Sequence, residues 1–236
     1  MKKMKIEAAM GRYQQEVVRW NRQINLVSRK GTLGLVATLI RQCRDSFSVL
    51  LDAELQQASP ELPVWYFDLG SGGGLPGYVW HHELLLRFSS LESWLVEPRE
   101  KRAWFLQRLN QIAPERPFSV LEGLWGGQIA DVSGLVAPGV VLVSLKALRL
   151  SDSVVLNGLV ETLVGHSDLA GCRVVVARFY PPEQSWCKEL EGELGPLVES
   201  TTFGSLTFAP AGQAVLRPLG KSVRPASLII SRYDIL

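Results

Sequence analysis

Apolar positions along the chain change their period near residue 63. Before it they recur every three or four residues. Tyr13, Val17, Trp20, Ile24 and Val27 make one stripe, which predicts a core-facing helix from Glu7 to Leu26. Arg12, Arg19 and Arg22 fall off that stripe and face solvent or a partner. Ser28 to Gly31 reads as a break. A second helix is predicted from Thr32 to Gln57, with Leu35, Leu39, Phe47, Leu50 and Leu51 as buried positions. The segment Ser59-Pro-Glu-Leu-Pro63 then reads as a linker, because two prolines cannot continue a helix.

From Val64 onward, short apolar runs alternate with helical stretches, the order of β-α-β units around a parallel sheet. Strands are predicted near 64–69, 92–97, 117–121, 139–145 and 172–179, and helices near 76–88, 99–112, 150–164 and 184–194. Ser200–Phe208 and Ala226–Ser231 read as two closing strands that form a hairpin. The expected organisation is a helical N-terminal extension over 1–62 and a Rossmann-like α/β domain over 63–236.

Composition narrows the class. Of 236 residues, 47% are hydrophobic and 20% charged, which suits an ordered core. No apolar run approaches the ~18–20 residues of a membrane span, so no membrane partner is expected. Cys43, Cys172 and Cys187 are widely spaced and form no ligand pattern with His81, His82 or His166. No metal is expected, and a reducing cytoplasm is the expected compartment. The first fifty residues carry a charge of +7 against a whole-chain charge of +2. A basic arm beside a mildly acidic body is a device for binding phosphate, or simply a soluble helix face.

The chemistry centres on Asp68-Leu-Gly-Ser-Gly-Gly-Gly-Leu-Pro-Gly77, which follows the buried-strand pattern Val64-Trp-Tyr-Phe67. Strand, glycine turn and helix start are the layout in which backbone N–H groups converge on a ligand. Gly72, Gly74 and Gly77 spell G-x-G-x-x-G, the dinucleotide fingerprint, but it begins about four residues too late after the strand. The alternative register, Asp68-x-Gly70-x-Gly72-x-Gly74, matches the first motif of S-adenosylmethionine-dependent methyltransferases. An acid beside the loop repels a pyrophosphate and suits a ligand with a cationic amino group and a sulfonium. A ligand-free structural turn is the bland reading of the same glycines. Glu97 ends the second predicted strand, where an acid accepts hydrogen bonds from ribose hydroxyls in nucleotide-binding α/β folds. Arg99, Lys101 and Arg102 open the next helix and are expected to be solvated at the substrate rim.

Taken together, several segments resemble the bacterial small-subunit (16S) ribosomal RNA guanine-N7 methyltransferase family, also called the glucose-inhibited division protein B family. They are Trp20-Asn21-x-x-Ile24-Asn25-Leu26-Val27-Ser28, Asp45-Ser46-Phe47, the glycine loop, and Glu97-x-x-x-Lys101-Arg102-x-x-Phe105-Leu106. The resemblance covers residues 10–150. It implies a class I S-adenosylmethionine-dependent methyltransferase fold and a ribosomal RNA or small-subunit partner. A monomer is expected. Within the loop, Asp68, Gly70, Ser71, Gly72, Gly74 and Leu75 are the donor-binding candidates, with Glu97 for the ribose. By motif and spacing, the family's adenine contacts fall on Gly127 and Gln128, and its Ser-Arg-Ala segment on Leu145-Lys146-Ala147. Lys146 is therefore assigned to donor or RNA positioning, and Arg19, Arg22, Arg29 and Arg149 to RNA. Gln42 stands where the family has histidine. The family's Leu-Lys-Gly is absent from Val174-Val-Val-Ala-Arg178-Phe-Tyr-Pro-Pro182. These departures keep two alternatives open: another substrate on the same fold, and a non-catalytic RNA- or ribosome-binding protein. A nicotinamide oxidoreductase is disfavoured by the glycine register. No side chain is assigned as a general base, because guanine N7 offers a free lone pair.

Overall fold

Helix α1 (Lys2–Ile24) packs on α2 (Leu33–Leu50), and both lie on one face of an eight-stranded sheet. The computed structural model describes residues 2–27, 33–112, 117–126, 138–146, 148–163, 169–180, 196–216 and 227–236. The stripe on α1 is as expected: Tyr13 and Val17 are fully buried, while Arg12, Arg19 and Arg22 are exposed. On α2 the buried line runs through Val36, Ile40, Cys43, Phe47 and Leu50, with Leu35, Leu39 and Leu51 at its margin. The helix does not stay uniform to Gln57. Leu51–Leu55 winds as a π-helical turn before the prolines end it.

The sheet is built from β1 (Val64–Leu69), β2 (Leu91–Glu97), β3 (Ser119–Glu122), β4 (Val140–Lys146), β5 (Arg173–Tyr180), β6 (Thr201–Phe203), β7 (Leu206–Leu216) and β8 (Ser227–Ile235). Their spatial order is β3-β2-β1-β4-β5-β8-β7-β6. The first five run parallel; β8, β7 and β6 join by antiparallel pairing. Helices α3 (Gly77–Arg87), α4 (Glu100–Leu109) and α5 (Asp152–Thr162) are the crossovers.

Both faces of the central strands are covered, which is why β1 reads as a continuous apolar run. Val64 and Tyr66 point into a core shared with α1, α2, α3 and α4. Trp65, Phe67 and Leu69 point into the opposite core, closed by α5. Helices α1 and α2 thus help to build the main core.

The tail differs from expectation. Ser200–Phe208 is not one strand: it folds back at Gly204-Ser205, so β6 and β7 form their own hairpin. Gly204 sits at φ +55, a left-handed conformation that suits glycine at a two-residue turn. β8 extends further than its apolar core suggested, and three strands rather than two close the sheet. The helix expected near 184–194 lies outside the described residues.

Candidate functional site

The order of strands reverses at β1, with β2 and β3 on one side and β4 and β5 on the other. The crevice beyond the carboxyl ends at such a reversal is where open α/β sheets bind ligands. The glycine loop, Gly70 to Pro76, occupies it. Gly70 and Gly72 hold φ of +69 and +57, where a side chain costs roughly 1–2 kcal/mol. The loop is also hemmed in. A Cβ on Gly70 would stand 3.3 Å from Leu148, one on Gly74 3.2 Å from Tyr78, and one on Gly73 3.1 Å from Leu26. At Gly72 the nearest atom is 3.8 Å away.

Where the loop's donors go changes the expected chemistry. The N–H groups of Gly70 and Ser71 both bond to Val96 O, at 2.9 and 3.0 Å, and that of Gly74 bonds to Ser71 O at 2.7 Å. Gly72 N–H donates to Glu97 Oε2 at 2.8 Å. These four donors are therefore turned into the protein and do not converge on a ligand, as the motif had suggested. A pyrophosphate would need them. A ligand bearing a cationic head does not, and two carboxylates stand at the loop.

Asp68, only 1% exposed, lies under the loop. Its Oδ1 accepts from Ser144 Oγ at 2.5 Å and its Oδ2 from Gly77 N at 3.2 Å. Since Ser144 donates to Asp68, Tyr66 Oη donates to Ser144, at 2.8 Å. Burial pushes the Asp68 carboxyl up to about 6, the Ser144 and Gly77 hydrogen bonds restraining the rise. Ser71 Oγ donates to Asp68 O at 2.8 Å, and Leu75 packs into the core. Glu97 is 3% exposed; its second oxygen accepts from Arg99 N at 3.0 Å, so one side chain ties the loop to the start of α4.

Lys146, half-buried at the end of β4, holds its Nζ 4.8 Å from the Phe179 ring centroid. Arg149 is exposed in the segment after β4. That segment is anchored behind by a buried cluster in which Arg178 of β5 pairs with Asp152 at the start of α5, and Tyr233 donates to the same carboxylate. Arg19 and Arg22 lie exposed on α1, and Gln42 is buried on α2. Arg29, Gly127 and Gln128 lie outside the described residues. Among the cations expected to be solvated, Arg99 and Lys101 are exposed, but Arg102 is half-buried and donates to Asn25 O at 2.9 Å.

Several contributors went unassigned from the sequence. Tyr13 Oη donates to Gly73 O at 2.8 Å, so the N-terminal helix holds the loop directly. Ser144 signalled itself as a hydroxyl near the end of the otherwise apolar run Val140-Val-Leu-Val143. Nothing in the sequence marked Leu148. Among the described residues, no group of three His, Cys, Asp or Glu side chains is placed to hold a metal ion, and no helix is long and apolar enough to cross a membrane.

Comparison with known proteins gives this geometry a family. The profile of the family described as rRNA small subunit methyltransferase G (GidB) matches residues 6–123. The ribosomal RNA small subunit methyltransferase G of Nitratidesulfovibrio vulgaris is 32% identical over 169 residues, 62% of this chain and 73% of that protein. Its counterpart from Granulibacter bethesdensis is 35% identical over 95 residues, 40% of this chain and 38% of that protein. Among solved structures, a putative methyltransferase yhhF from Escherichia coli aligns over 80% of this chain and 86% of its own, at 12% identity and a TM-score of 0.43. That likeness is too remote to inform the site.

Proposed function

The chain belongs to the rRNA small subunit methyltransferase G family, and on that premise we propose that it carries a methyl group from S-adenosylmethionine to N7 of a guanine in small-subunit ribosomal RNA, in the cytoplasm. The observation that carries the reading at this site is the inward turn of the loop N–H groups toward Val96 O, Glu97 and Ser71 O. With those donors occupied and two carboxylates at the strand ends, the crevice suits a cationic nucleoside better than a pyrophosphate.

S-adenosylmethionine, when bound, supplies an electrophilic methyl on a sulfonium. The residues here hold and orient. Gly70, Gly72 and Gly74 let the backbone approach without side chains in the way. Asp68 keeps the loop in register through Gly77 and Ser144. Glu97 is proposed to hold the ribose hydroxyls, a reading supported by the second lone pair that each of its oxygens retains beyond its backbone bond. Lys146 is the positioning cation, held over Phe179. It keeps a positive charge but not the bidentate fork of arginine. Gly127 and Gln128 are proposed for the adenine end. Because guanine N7 carries its lone pair in the neutral base, attack needs no proton removal. Alignment then dominates, an effect worth about 7–11 kcal/mol in favourable systems.

Calorimetric titration of the full chain with S-adenosylmethionine tests the donor site, with Gly72→Asp and Glu97→Ala as variants. Micromolar binding that Gly72→Asp abolishes and Glu97→Ala weakens, with RNA affinity kept in the latter, is the expected outcome. Equal loss of donor and RNA affinity in Glu97→Ala would make that residue structural. Binding insensitive to Gly72→Asp would remove the loop from the donor site.

A further inference from the structure

The outer face of α4 carries a tryptophan that the core does not use. Trp104 is 43% exposed, whereas Ala103, Phe105, Leu106 and Leu109 around it are fully buried. Lys101 and Arg108, three residues before it and four after, share its face. From α1, the ring of Trp20 meets Trp104 edge to face at 4.9 Å. The guanidinium groups of Arg19 and Arg108 stand 5.6 and 5.5 Å from the Trp20 ring centroid. One carboxylate orders this group: Glu16 accepts from Trp20 Nε1 at 2.9 Å, Arg108 Nε at 3.0 Å and Arg19 Nη1 at 3.4 Å. Its charge is thereby balanced locally, and Lys101 adds exposed positive charge at the edge.

The same helix also reaches the donor loop. Arg102, on the same helix as Trp104, donates to Asn25 O and places Nη1 3.9 Å from where a Cβ on Gly72 would be. Helix α4 thus carries Trp104 on its outer face and Arg102 at the donor loop.

We propose that the α1–α4 surface is a platform for a single-stranded RNA segment next to the target guanine, with one base stacked on Trp104 and phosphates held by Arg19 and Lys101. The proposal rests on the reading of RNA as substrate. An exposed aromatic ring within a cationic rim binds unpaired nucleotides because every base offers a π-face, while a duplex hides those faces in its own stack. A protein partner seeking an apolar patch would find a single tryptophan ringed by charge.

The test is fluorescence anisotropy of a labelled single strand of about ten nucleotides, inside the usual ~4–16 nucleotide site range. The same sequence as a duplex is measured in parallel, on the full chain, Trp104→Ala and Trp104→Phe. Trp104→Ala should lose roughly 5- to 150-fold in single-strand affinity, the range set by one base stack, with duplex affinity little changed. Trp104→Phe should keep most of the affinity. Calorimetric donor binding should match the unsubstituted chain, excluding a folding defect. Unchanged single-strand affinity in Trp104→Ala, or equal loss for single strand and duplex, would overturn the platform. Methyl transfer by the unsubstituted chain separates the two readings: Trp104-dependent binding without any transfer would keep the platform and sink the catalytic function.

Discussion

Tyr13 and Gly73 are joined by a hydrogen bond of 2.8 Å, phenol to loop carbonyl, across sixty residues of sequence. The tyrosine is fully buried and stacks on Tyr78 at 4.6 Å, so the basic N-terminal helix and the glycine loop share one packed contact.

Tyr13→Phe keeps the stack and deletes the bond, leaving a buried carbonyl without its donor. The expected cost is about 1–3 kcal/mol of stability in urea unfolding. Donor affinity should fall as the loop loosens. Wild-type stability and donor binding in Tyr13→Phe would show that the contact is incidental.

Gly77 and Asp68 make a second such pair. A Cβ at position 77 would collide with the Asp68 carboxylate, its Cγ lying only 2.9 Å away. Gly77→Ala should destabilise the fold by about 1–3 kcal/mol, as overpacking does. It should also lower the thermal midpoint more than Gly72→Ala, which has backbone strain but only ordinary van der Waals contacts for its Cβ. The reverse ranking would place strain above packing in this loop.

Asp68 gives the fold a pH signature. Burial raises its folded-state value to about 6, above the unfolded value near 3.9. The folded chain therefore holds this proton to higher pH than the unfolded chain. The Asp68 contribution is most favourable below about pH 4 and is lost as pH rises toward 6, by on the order of 3 kcal/mol. Unfolding free energies of the wild type and Asp68→Asn across that window should show a fall with pH that is absent from the variant. Parallel curves would mean the carboxyl titrates normally.

Replacing Arg19, Arg22 and Arg29 together by alanine should weaken RNA binding and flatten its salt dependence. Each phosphate neutralised contributes ~0.9 to the log–log slope on duplex and ~0.7 on a single strand, so the slope should drop by about 2–3. A slope unchanged by the triple substitution would take the arm out of the RNA interface.

Much of this was legible in the sequence. The central parallel strands and their crossovers followed from period alone, because strands buried on both faces read as unbroken apolar runs. The two acids drew attention because each lies at or next to the end of a strand beside the glycine loop. What the sequence hid depends on distant partners. Tyr13 was indistinguishable from a core residue on its stripe until Gly73 was placed beside it. Glu97 looked free for a ligand, yet Gly72 N–H turns inward to meet it. The Arg178–Asp152–Tyr233 cluster unites three elements with no local signal. The β6–β7 turn is a different lesson. Gly204-Ser205 between two β-prone triplets is itself a hairpin signal, weaker in the apolar pattern than one longer strand.

The central claim is tested most directly by transfer of tritium from methyl-labelled S-adenosylmethionine to small-subunit ribosomal RNA, offered naked and in assembled subunits. The modified RNA is then cleaved chemically at N7-methylguanine. The account predicts label in the RNA, cleavage at a guanine, and loss of both with Gly72→Asp. No transfer to either form at saturating donor, or label at a position resistant to that cleavage, would contradict it.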